Sequence, residues 1–291
     1  MGERRARGAP PRGDASVRKT VTLTCVPLIA AWILGASWAY GREFAVLGVV
    51  GDSISWGWNP DVPGQSGWVQ MLFGSFGTEK TINALWPAIA KHNGAVSGST
   101  AEEWAGADYA PMKELLAHYP DLVVVYIGGN DLLAQLADGD FSQAEKDAYR
   151  DNLRAIVTRL RGNAPRPEIV LVNYYDLFDG CSANLPLLLS PYRGLSQATV
   201  EGNEIIAEVA KEKNCRPVSG IYGDFMHHCY GAELGDTDHQ DPPFMRMPLT
   251  RFDIHPVTAG HKAIYGNVFR MLESLKSERT RAAASEWSLY E

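Results

Sequence analysis

Three uninterrupted apolar runs constrain this chain more than any other feature: "FAVLGVV" (44–50), "LVVVYI" (122–127) and "IVLVNYY" (169–175). They are short and continuous rather than alternating, which is the pattern of strands buried on both faces. Longer amphipathic stretches separate them, and strands alternating with helices indicate a parallel sheet. Weaker strand signals at 91–96 and 217–221 raise the count to about five. Helices are expected at 67–76, 101–118, 142–161, 196–213 and 256–276, with Pro256 suited to the first turn of the last. The expectation is a single three-layer α/β/α domain around a mainly parallel five-stranded sheet.

The length of 291 residues, 45% hydrophobic and 21% charged, suits one such domain with a short appendage. The division expected is 1–41 as appendage, 42–277 as the domain and 278–291 as a solvated helical tail. The first 41 residues hold six of the 27 basic and two of the 34 acidic residues, which leaves the remainder at −11. So anionic a body is a poor nucleic-acid binder. The appendage begins basic and rich in Pro and Gly, then turns apolar over residues 21–39. That sequence resembles an export signal, with the small residues Ser37 and Ala39 at a cleavage position; left uncleaved, the segment could anchor the chain to a membrane. Either reading puts the body outside the cytoplasm, whereas a third, a buried helix of the fold, does not. Export would permit a disulfide among Cys181, Cys215 and Cys229, whose pairing spacing does not fix; reduced, partly buried thiols are the alternative.

Open parallel sheets bind ligands at the carboxyl ends of their strands, here "GDSIS", "GGND" and "YYDLFDG". A serine hydrolase needs a hydroxyl nucleophile, a histidine base, an acid to orient it and donors for the oxyanion. Ser53 follows the first strand in a turn expected to expose its side chain, although Gly-Asp-Ser is also ordinary turn chemistry. No G-x-S-x-G elbow occurs, which argues against an α/β-hydrolase. Downstream, "HNGAVSGST" supplies Asn93, Ser97 and Gly98, "YIGGND" supplies Gly129 and Asn130, and "FDIHPVTAGH" supplies Asp253 and His255.

Four blocks carrying Ser, Gly, Asn and His in that order resemble the SGNH (GDSL) family of esterases and lipases, over essentially the whole body. The resemblance implies a flavodoxin-like SGNH hydrolase fold, no cofactor and no metal, and hydrolysis of small-molecule, glycan or lipid esters. It implies Ser53 as nucleophile and His255 as base, with the Ser53 and Gly98 amides and the Asn130 side chain forming the oxyanion hole. One departure concerns the acid: the family's aspartate precedes its histidine by three positions, whereas Asp253 precedes His255 by two. Asp253 can still reach the ring if the segment is extended, or the Phe252 carbonyl orients a Ser-His dyad; the first is favoured.

Trp56, Trp58, Tyr174 and Tyr175 follow strand ends and are candidates for lining the substrate pocket, with core packing as the alternative. The 221–252 segment, rich in Gly, Asp, His and Pro, is too long for an idle connection and is expected to border the site. Its "HHC" and "DTDHQD" stretches have no recognised metal spacing and read as solvated loop. Acetyl transfer to or from a cell-envelope glycan is the close rival to hydrolysis, and a non-catalytic envelope-binding module is the rival of another class.

Overall fold

The computed structural model describes residues 43–62, 64–135, 141–163, 166–230, 234–245 and 253–287. The basic N-terminus, the apolar 21–39 segment and Phe252 lie outside the described residues. Five strands form one sheet: β1 (Val46–Gly51), β2 (Ala90–Asn93), β3 (Leu122–Tyr126), β4 (Glu168–Val172) and β5 (Arg216–Val218). Their order is β2-β1-β3-β4-β5 and every neighbouring pair is parallel. The apolar runs occupy its middle, where all five residues of β3 and the last four of β4 are buried. The weaker signals are the edges: β2 is half-exposed, with the Lys91 ammonium donating to the Phe73 carbonyl and the Asn83 side chain, and β5 carries Pro217, which only an edge tolerates.

Nine α-helices accompany the strands among the described residues: α1 (Ser53–Trp56), α2 (Trp68–Phe73), α3 (Ala101–Ala105), α4 (Ala110–Ala117), α5 (Gly129–Gln135), α6 (Gln143–Gly162), α7 (Leu195–Glu212), α8 (Gly220–Phe225) and α9 (Thr258–Trp287). One group, α3, α6 and α7, packs together on one side of the sheet, and α2, α8 and α9 pack together on the other. The single helix expected at 101–118 is two. Gly106 caps α3, and Pro111 lies in the first turn of α4, where its missing N–H costs nothing. The last helix starts two residues later than expected, because Pro256 instead bridges to Met245. Its C-terminal extension runs to Trp287 as anticipated.

From β1 the chain crosses to β2 at one side and then to β3 at the other, so a crevice opens between β1 and β3 at their carboxyl ends. The register pairs Gly51 with Tyr126, which sets the turns after the two strands side by side. Cys181, Cys215 and Cys229 are all free thiols. No helix among the described residues is long and apolar enough to cross a membrane.

Candidate active site

The turn after β1 is built by Asp52. Its backbone is extended and its Oδ1 accepts the Ile54 N–H at 2.9 Å, which caps α1 and makes Ser53 the first helical residue. The Ser53 amide, in a first helical turn, therefore has no acceptor within its helix. Its side chain is more covered than expected from a turn, at 6% exposure, because His255 sits over it. The His255 Nε2 lies 2.9 Å from the Ser53 Oγ, and its Nδ1 lies 2.8 Å from the Asp253 Oδ1. A carboxylate only accepts, so Nδ1 carries the proton and Nε2 is left to accept the serine hydroxyl.

Asp253 meets the ring within an Asx turn, its carboxylate bonding the backbone two residues on. One oxygen, Oδ1, accepts both the His255 backbone N–H at 3.0 Å and its ring N–H. Two tyrosines fix this segment: the Tyr175 hydroxyl donates to the Ile254 carbonyl at 2.7 Å and the Tyr230 hydroxyl to the Asp253 carbonyl at 2.9 Å. Burial holds the His255 imidazole below its ordinary value, and the bond to Asp253 only partly restores it. The ring is accordingly neutral and able to accept a proton near neutral pH.

Gly98 lies on the turn after β2, and Asn130 in the first turn of α5, which follows β3. Gly98 has φ +82°, and a side chain there would point into open space, so the requirement is for its left-handed backbone. One Asn130 Nδ2–H donates to the Ser99 carbonyl at 2.9 Å, which leaves the second for a ligand. Of the aromatic candidates, Tyr174 and Tyr175 line a small pocket, partly open to solvent, beside Ser53 and Asn130. Its lining also includes Leu132, Leu177, Leu195 and Ile254. Trp56 and Trp58 lie outside that lining. Trp58 is 48% exposed and flanks the His255 ring with centroids 5.5 Å apart, and Trp56 packs against Trp58. Asn93 donates to the Ser55 carbonyl and Ser97 is exposed, so neither enters the constellation.

The profile of the GDSL-like lipase/acylhydrolase family matches residues 49–263, about three quarters of the chain. The chain belongs to that family. As a GDSL-like acylhydrolase it is a carboxylic ester hydrolase. No curated protein matches its sequence. Among solved structures it is similar to a catalytic mutant of Axe2, an acetylxylan esterase from Geobacillus stearothermophilus, at 21% identity and TM-score 0.54 over 79% of this chain and 94% of that one. LAE5, an alpha/beta hydrolase enzyme from the metagenome of Lake Arreo, Spain, is similar at 21% identity and TM-score 0.54, over 81% of this chain and 98% of its own. At these identities the two structures establish the fold alone.

This GDSL-like hydrolase also places residues that sequence reasoning left without a role. Tyr230 comes from the long segment expected to border the site. His261, inside the "FDIHPVTAGH" block, is fully buried; its Nε2 bonds to the Trp58 carbonyl at 2.8 Å and its Nδ1 accepts the Trp68 N–H at 3.3 Å. Asp52 and Asp131 are buried carboxyls each pushed up to about 6, chiefly by burial. In the long segment, Asp236 bonds to His227 at 2.8 Å, and Asp179, Asp236 and His239 bring ligand-type atoms within 4.8 Å of one another.

Proposed function

We propose that this ester hydrolase cleaves esters of short acyl groups through an acyl-enzyme on Ser53. The reading is carried by one observation: the unbroken relay from Ser53 Oγ to His255 Nε2 at 2.9 Å and from His255 Nδ1 to Asp253 at 2.8 Å. Ser53 Oγ attacks the ester carbonyl as its proton passes to His255 Nε2. Charge develops on the carbonyl oxygen, which takes hydrogen bonds from the Ser53 and Gly98 amides and from Asn130 Nδ2, each donor being worth about 3 kcal/mol in such sites. The imidazolium returns its proton to the departing alkoxide, so the alcohol leaves neutral. Water then attacks the acyl-enzyme with His255 again as base, releasing the acid and restoring the serine.

The apolar pocket beside Ser53 suits the acyl group, and its modest size favours a few carbons over a fatty chain. On the other side of the base, the half-exposed Trp58 offers a flat apolar face of the kind that stacks on a sugar ring, which favours a glycan or aromatic alcohol as the leaving group. The basic and then apolar N-terminus supports export, where acetylated envelope glycans are available.

The test is Ser53→Ala against p-nitrophenyl acetate, butyrate and octanoate. Loss of all cleavage with an unchanged melting temperature is expected, with acetate or butyrate preferred by the parent enzyme. Retained hydrolysis would place the nucleophile elsewhere, and a preference for octanoate would refute the short-acyl reading.

A further inference from the structure

The oxyanion hole assigned above is assembled from three separate turns, and its donors act only if those turns keep their spacing. Preorganisation of this kind has to hold to a fraction of an ångström. The turn after β2 is tied to the turn after β1 by the Ser99 hydroxyl and the Val96 N–H, both donating to the Gly51 carbonyl. Two side-chain contacts tie it to the turn after β3. One is made by Asn130, itself a hole donor. The other is made by its neighbour, Asp131, whose two carboxylate oxygens accept the Ala101 N–H at 2.9 and 3.1 Å.

Ala101 is a firm anchor. It opens α3, whose Thr100–Glu103 capping box satisfies the first amides reciprocally. Trp104 of the same helix is fully buried, with its Nε1–H donating to Ser99 Oγ at 3.0 Å. A carboxylate at the start of α5 therefore reaches a rigid point immediately after the Gly98 turn. Asp131 is itself buried, at 9% exposure, and pairs with no cation among the described residues. Its charge is held by amides alone, an expensive arrangement for a surface loop of no consequence.

We infer that Asp131 is the positioning residue of the oxyanion hole: its bond to the Ala101 amide sets the separation between the Gly98 N–H and Asn130 Nδ2. The inference rests on the hole assigned under the proposed function. It makes Asp131 a residue that acts on turnover without touching substrate.

Four variants test it, Asp131→Ala, Asp131→Asn, Ala101→Pro and Asn130→Ala, with p-nitrophenyl acetate kinetics, melting temperature and inhibition by phenylboronic acid, whose serine adduct is a tetrahedral anion. Proline is compatible with the first helical position and with the extended Thr100 before it, so Ala101→Pro removes the amide from the other end of the contact. Asp131→Ala and Ala101→Pro should each lower kcat about 10- to 100-fold, the scale of a misplaced donor, with KM within about threefold. The phenylboronic acid Ki should rise in parallel, and the two substitutions combined should cost little more than either alone. Asp131→Asn, whose amide oxygen can still accept, should recover most of kcat. Lower melting temperatures with kcat and Ki unchanged would make the contact merely structural and overturn the inference. Should Asp131→Ala not fold, Asp131→Asn and Ala101→Pro decide the matter by the same criteria. Asn130→Ala should lose at least about 100-fold in kcat. Normal turnover there would refute the hole itself, and the inference with it, whereas loss in Asn130→Ala alone would refute only the role of Asp131.

Discussion

Asp52, adjacent to the nucleophile, should destabilise the fold at neutral pH, and the effect can be measured by replacing it with asparagine. The side chain is 1% exposed and its two partners, the Ile54 N–H and the Tyr174 hydroxyl at 2.8 Å, bring no positive charge. Burial raises its carboxyl from the ordinary 3.8 to about 6, with nearby Asp131 adding to the rise against those two hydrogen bonds. A folded-state value above the unfolded one means that the folded chain holds the proton more tightly. Stability from this group is therefore complete below about pH 4 and is lost as the pH climbs through 6. The rise from 3.8 to about 6 corresponds to a loss of about 3 kcal/mol, nearly all of it present by pH 7 and under about 1 kcal/mol of it at pH 4. Asparagine keeps an acceptor for Ile54 and cannot ionise. Urea unfolding followed by tryptophan fluorescence at pH 4, 5 and 7 should show the Asp52→Asn variant gaining about 2 kcal/mol on the parent across that range. Any packing difference between the two side chains shifts all three points equally. A difference that stays flat from pH 4 to pH 7 would refute the claim that Asp52 is buried as a strained anion.

Two other substitutions probe the relay and its support. Asp253→Asn should lower kcat/KM by orders of magnitude. The acid limb of its pH profile should also move to lower pH, because Asp253 raises the His255 imidazole against the burial that lowers it; an unmoved limb would separate Asp253 from the ring. His261 is pushed to about 4 by burial and is neutral, so His261→Ala should remove two buried hydrogen bonds and lower unfolding stability by about 2–4 kcal/mol at every pH above 5, read by urea denaturation.

The central strands and the Ser, Gly, Asn and His blocks were legible because each is a local pattern: an apolar run, or a turn of special residues directly after one. The edge strands were faint for a physical reason, since β2 and β5 face solvent and carry Lys91 and Pro217. The split of the 101–118 helix was present in the sequence as Gly106 and Pro111, but amphipathic periodicity runs across it. Tyr174 and Tyr175, read from sequence as pocket or core residues, are buried beside Ser53 with their hydroxyls spent on Asp52 and the Ile254 carbonyl. The partners of His261 and Tyr230 were illegible. Trp58 and His261 lie 203 positions apart, and the contact is to a backbone carbonyl that no side-chain pattern marks.

The spacing of Asp253 shows why position in a motif is a poor substitute for turn geometry. Two positions before the histidine is too close for two side chains that leave a helix, whereas an extended segment puts both on the same side of the chain. The observed turn folds the carboxylate back over its own chain, so that Oδ1 fixes the His255 backbone and ring together. Such a turn would be mobile if it stood alone in a loop. Here the Tyr175 and Tyr230 hydroxyls hold the carbonyls of Ile254 and Asp253, the two peptide units that the turn rotates. The acid therefore depends on tyrosines from β4's end and from the segment after α8. Loss of either hydroxyl should loosen the histidine before it disturbs the sheet.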